Sequence, residues 1–102
     1  MATRHPALSA FGLNVRKLRE SNALTQESLA EKADLDPTYI SGIERGVRNP
    51  SLLSIIRVAK ALGTSVSDIT KSIENRAMAR AKLFNTKETR SVYISGNPQR
   101  DK

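Results

Sequence analysis

The stretch "TQESLAEKADLDPTYISGIERG", residues 25 to 46, constrains the fold most, because two helices must form in it with almost no chain between them. Thr25 is a good N-cap for the first, and Leu24 and Leu29 occupy the two positions of a hydrophobic staple. The capping box is incomplete, since Ser28 stands where Glu or Gln would complete it. The second helix has Asp36 as N-cap and Pro37 at its first position, where the missing N–H is no loss, and Gly46 stops it. These signals predict helices over about 26–33 and about 37–45. Only Asp34, Leu35 and Asp36 remain to join them, so the pair is held at a steep fixed angle.

The flanking chain reads as further helix. Leu8, Phe11, Val15 and Leu18 recur at helical spacing and predict a first helix over about 9–21. Leu52, Ile55, Ile56, Ala59 and Leu62 form the expected buried stripe of a fourth over about 51–62, with Gly63 after it. Ile69, Ile73 and Ala77 are spaced i, i+4, i+8 and predict a fifth from Val66 or Ser67. The high helix propensity of "NRAMARAKLF" lets that helix run to about Phe84. The only β-like run, "RSVYIS", stands alone, so the chain is all-α with five helices. The expected division is an N-terminal arm over 1–8, a domain over 9–75, and a flexible basic C-terminal extension over 76–102.

A helical wheel through the second helix of the central pair separates two faces. With Pro37 at zero and about 100° per residue, Ile40 and Ile43 fall at about 300° and about 240°, a core face. Thr38, Ser41, Gly42 and Arg45 fall between about 40° and about 140°, a contiguous outward face. Tyr39 lies at its edge, half packing and half contact. Arg48 and Asn49 follow the helix, and Gln26 sits beside the free N–H groups of the preceding one, where anions are favoured. A helix so presented fits the major groove of double-stranded DNA. Charge agrees: the net is +7 at neutral pH. Residues 1–75 carry 10 Lys+Arg against 8 Asp+Glu, a net of +2, and residues 76–102 carry 7 against 2, a net of +5. Most of the basicity is therefore in the extension, and the domain depends on local placement.

Residues 18 to 63, "LRESNALTQESLAEKADLDPTYISGIERGVRNPSLLSIIRVAKALG", resemble the Cro/C1-type (XRE) helix–turn–helix family through the segments "TQESLA", "YISGIERG" and "NPSL". Within it they look most like the controller proteins of restriction–modification systems. The resemblance implies a lambda-repressor-like DNA-binding domain acting as an autoregulatory transcription factor, a homodimer on palindromic operators, in the cytoplasm at the nucleoid. It implies that Gln26 contacts phosphate, that Thr38, Ser41 and Gly42 face base edges, and that Tyr39, Arg45, Arg48 and Asn49 contact the backbone or nearby bases. It also implies an ion pair between Arg19 and Glu44. Ile69, Ile73 and Ala77 are expected at the dimer contact.

Three positions depart from the family pattern. Asp34 stands where glycine usually ends the helix, Pro37 where relatives often carry a long polar base-reading side chain, and Gly42 where some phage repressors do. Glycine in a helix interior costs about 1 kcal/mol relative to alanine. Either Gly42 lets the backbone approach DNA closely, with specificity drawn partly from DNA shape, or it avoids a clash with a neighbouring helix. No cysteine is present, the one histidine is His5, and no metal-ligand spacing or phosphate-cradling loop occurs, so no cofactor, metal or enzyme activity is expected. A second function class stays open, an antitoxin-like protein-interaction partner that also binds DNA and docks a protein through the basic extension.

Overall fold

Every helix starts on a side-chain cap. The hydroxyls of Thr25, Ser51 and Ser65 each accept the N–H of the residue three further on, the Asp36 carboxylate accepts that of Thr38, and His5 Nδ1 accepts that of Ala7. The computed structural model describes residues 5–75. They form α1 (Pro6–Ser21), α2 (Gln26–Ala33), α3 (Pro37–Glu44), α4 (Leu52–Ala61) and α5 (Val66–Ile69), and no strand occurs among them.

The helix ends are equally local. After α2 the Leu35 N–H reaches the Ala30 carbonyl and the Asp34 N–H that of Glu31, which requires Asp34 in the left-handed region at φ 58°. Asp34 thus does what glycine usually does, as the shape of the turn demands. The same pair of bonds closes α3, where the Val47 N–H donates to the Gly42 carbonyl and Gly46 adopts φ 74°.

α1 packs on α3, α2 on both α3 and α4, and α4 on α5. Between them lie Phe11, Val15, Leu29, Ile40, Ile43, Val58, Leu62 and Ile69, all buried. Burying each such side chain contributes roughly 1.5–3 kcal/mol relative to exposure. Among the described residues no helix is long and apolar enough to cross a membrane.

Three expectations need correction. α1 begins at Pro6, not near residue 9, because His5 supplies a cap and Pro6 suits the first turn, so residues 6–8 are helix rather than arm. The core face of α4 runs through Ile55, Val58, Ala59 and Leu62, while Leu52, expected in the buried stripe, is 65% exposed. It lies in the first turn, where the α4 stripe has passed beyond the core.

The fifth helix is not one long element. α5 ends at Ile69, Ser72 takes φ 63°, and helical turns resume at Ile73. Asn14 on α1 holds this break: its Nδ2 donates to the carbonyls of Ile69 and Lys71, both at 3.0 Å. Ile69 and Ile73 therefore do not share one helical face, and Ile69 is wholly buried in the chain's own core, which removes it from any dimer contact. Ile73 is half-buried against that core. Ala77, the continuation to about Phe84 and the extension over 76–102 lie outside the described residues.

Candidate nucleic-acid interface

α3 is amphipathic as its wheel predicts at every position but Gly42. Ile40 and Ile43 are buried, whereas Thr38 and Arg45 are exposed and Ser41 is half-buried between them. One turn apart, Arg45 Nε donates to Ser41 Oγ at 3.3 Å, so the two form one polar surface. At the N-terminal end both the backbone N–H and the hydroxyl of Thr38 donate to Asp36 Oδ1. These bonds, the hydroxyl's first, hold the Asp36 carboxyl below the usual carboxylate range.

Gly42 does not lie on the open face. It is buried beneath the side chain of Arg48: a Cβ there would stand 3.3 Å from Arg48 Cβ, 3.6 Å from its Nε and 3.8 Å from Val47 Cγ2. The base-edge role expected for Gly42 is corrected accordingly. What the missing side chain allows is a close approach of the segment after α3, rather than of a neighbouring helix or of bare backbone to a ligand. Arg48, laid across this gap, places its guanidinium 4.9 Å from the centre of the Tyr39 ring. An exposed pair of this kind is worth about 0.5–1 kcal/mol. Tyr39 is half-buried, and its hydroxyl oxygen accepts the Ser51 N–H at 3.4 Å, which ties α3 to the start of α4. Asn49 is exposed beside it.

Gln26, the first residue of α2, is fixed from below. Its Nε2 donates to Glu44 Oε1 at 3.0 Å, leaving its second amide hydrogen and its carbonyl for other partners. Glu44 also accepts from Arg19 Nε at 2.7 Å and Nη2 at 3.1 Å, and Arg19 Nη1 donates to the Leu24 carbonyl at 2.8 Å. The Arg19 and Glu44 side chains are 12% and 4% exposed, so the pair implied by the family resemblance is present and largely withdrawn from water. The hydrogen bond to Glu44 raises the Arg19 pKa above its ordinary value against the opposing pull of burial.

Two contributors went unread in the sequence. Gly12 lets α1 approach the end of α3: a Cβ there would stand 2.7 Å from the Glu44 carbonyl oxygen and nearer still to that of Ile43. Its signal was a glycine inside the apolar stripe of the first helix, beside Phe11. The second is the start of α4, where Ser51 caps only the Ser54 N–H of the first turn and the N–H groups of Leu52 and Leu53 carry the positive end of the helix dipole. "NPS" ahead of an apolar helix was the available clue. Gln26, Thr38, Ser41, Arg45, Arg48 and the α4 N-terminus thus supply cationic and hydrogen-bonding groups around α3. Among the described residues no group of three or more His, Asp or Glu is placed to hold a metal ion.

Comparison with known proteins bears on the family and the fold. Residues 15–69 match the helix–turn–helix family. The control protein C.MunI of Mycoplasma sp is 45% identical over 65 residues, which span 63% of this chain and 88% of that protein. The control protein C.BamHI of Bacillus amyloliquefaciens is 50% identical over 60 residues, 58% of this chain and 74% of its own. The restriction–modification controller protein C.Esp1396I, solved as a tetramer in complex with its natural 35-base-pair operator, is 36% identical. That structure matches with a TM-score of 0.61 over 71% of this chain and 95% of its own.

Proposed function

The chain belongs to the helix–turn–helix family of DNA-binding regulators, not a family of enzymes, and from that premise we propose that it is a controller-type transcription factor that binds symmetric operator DNA as a homodimer and regulates its own gene. The observation that carries the reading is the outward face of α3. Ile40 and Ile43 anchor the helix, and Thr38, Ser41 and Arg45 point away from the core between Arg48 on one side and Gln26 on the other.

In this reading Thr38, Ser41 and Arg45 address base edges in the major groove, and Gln26, Tyr39, Arg48, Asn49 and the α4 N-terminus address phosphates on either side. Pro37 has no polar group to offer a base, so direct readout rests on few side chains. Part of the specificity is then drawn from how easily the operator deforms. A regulator of this kind works in the cytoplasm, at the DNA.

The test is an anisotropy titration of the full chain against the duplex upstream of its own gene, with a scrambled duplex of equal length beside it, both at physiological salt. The expected preference is about a thousandfold or more, as is usual for specific binders. Equal, weak binding to both duplexes would overturn the autoregulatory reading.

A further inference from the structure

We propose that Asp36 is a positioning residue that sets specificity: it takes the hydroxyl proton of Thr38, so that Thr38 meets DNA as a hydrogen-bond acceptor only and selects a base bearing an exocyclic amine. The inference rests on the operator reading above and deepens it, from where Thr38 points to which bases it accepts.

A threonine hydroxyl has one proton and two lone pairs, so a free one serves as donor or as acceptor. Thr38 is exposed but not free. Its Oγ1 lies 2.5 Å from Asp36 Oδ1, and its backbone N–H donates to the same oxygen at 2.8 Å. An ionised carboxylate has no proton to give, so the proton between the two oxygens belongs to Thr38. Such a charge-assisted bond is roughly twice as strong as a neutral one. What Thr38 turns outward is then its lone pairs and its methyl group.

Pro37 keeps this clamp in register. A residue before proline is pushed out of the helical region into extended backbone, and Asp36 sits there at φ −73° and ψ 139°. That is also the conformation of an N-cap, so Pro37 favours the geometry in which the carboxylate reaches Thr38. Pro37 reads no base itself; it supports the pair that does. Ser41, one turn along the same face, is the contrast. Its Oγ accepts from Arg45 Nε at 3.3 Å and keeps its own proton, so it can still donate.

In the major groove the exocyclic amines of adenine and cytosine donate, while guanine O6 and N7 and thymine O4 accept. A free hydroxyl addresses either set. The clamped one accepts from adenine N6 or cytosine N4, and sets lone pair against lone pair at guanine O6 or thymine O4. The Asp36 charge adds to that repulsion. One such bond made rather than opposed corresponds to about tenfold in affinity.

The test selects bound duplexes from a random-sequence library with the full chain as wild type, Thr38→Val and Asp36→Asn, then measures affinity for the enriched duplex. Valine matches threonine in shape without its oxygen, and asparagine still caps a helix. Were Asp36→Asn not to fold by circular dichroism, Asp36→Ser, with another good cap, replaces it. Thr38→Val should erase base preference at one position of each half-site, and the wild type should place adenine or cytosine there. Replacing that base by purine deoxyriboside or the pyrimidinone analogue, which lack the amine, should cost the wild type about tenfold and Thr38→Val nothing. Asp36→Asn removes an anion from beside the duplex and should bind every sequence more tightly, yet its preference for amine-bearing bases at that position should fall several-fold. A purely structural role for Asp36 would not move that ratio. Guanine or thymine at the Thr38-dependent position overturns the inference, as does the absence of any such position, an amine deletion without cost, or an unchanged ratio in Asp36→Asn. Enrichment of no sequence at all would instead overturn the operator reading, and this inference with it.

Discussion

Glu44→Ala should be the most damaging single truncation near the candidate interface. The carboxylate accepts three hydrogen bonds, two from Arg19 and one from Gln26, and its side chain is 4% exposed. Removing it leaves the Arg19 guanidinium, 12% exposed, with only the Leu24 carbonyl as partner. Breaking a buried pair from one side costs about 3–5 kcal/mol, because the remaining charge stays desolvated and uncompensated. The surviving bond to Leu24 puts the expectation at the lower end, about 3 kcal/mol. Domains of this size hold only about 0.05–0.15 kcal/mol per residue, so that is a large share of the total. At about 4–8 °C per kcal/mol, the midpoint of thermal unfolding should fall by about 12–24 °C. Urea unfolding followed by circular dichroism measures the loss directly, with an unchanged m-value if the variant still folds in two states. Replacing both partners, Arg19→Met with Glu44→Met, should recover most of the loss, since apolar side chains of similar length carry no stranded charge. A Glu44→Ala cost below about 1 kcal/mol, the range of exposed pairs, would refute the reasoning. So would a double variant no better than the single one.

Gly12→Ala should destabilise by about 1–3 kcal/mol or more in the same urea assay, because the added Cβ meets the Ile43 and Glu44 backbone carbonyls, which cannot rotate away. Gly42→Ala is the milder case: its Cβ would stand 3.3 Å from Arg48 Cβ, so the segment after α3 must give by a few tenths of an ångström, and the helix-propensity gain of about 1 kcal/mol should offset much of that cost and leave the loss smaller than for Gly12→Ala. Operator affinity should fall as Arg48 is pushed from the Tyr39 ring; unchanged affinity would separate Gly42 from recognition altogether. Asp36 sets an acid dependence. Its folded pKa lies below the ordinary carboxylate value, so its contribution is present above that ordinary value and lost as pH falls through the lowered one. Urea midpoints of the wild type and Asp36→Asn, compared from about pH 5 to about pH 2, should converge as pH falls.

What the sequence determined by itself was most of what is encoded within about four residues, the His5 cap and Pro6 start of α1 excepted. Thr25, Asp36 and Pro37 fixed the starts of α2 and α3, the three-residue joint fixed their angle, and the spacing of Ile40 and Ile43 fixed which face of α3 turns outward. These are short-range hydrogen-bond and periodicity effects, so they can be read without knowing what lies across the core. The tertiary structure decided the rest. Only through-space packing shows that Arg48 covers Gly42, that Gly12 admits the end of α3, and that Leu52 and Leu53 project into solvent. Periodicity alone made Ile69, Ile73 and Ala77 one stripe, since the helix propensity around them is high. The chain stops that helix at Ile69, where Asn14, 55 positions earlier, bonds the Ile69 carbonyl and that of Lys71 just beyond it. A hydrogen bond from another helix outweighs a propensity worth only tenths of a kcal/mol per residue, and no local pattern announces it.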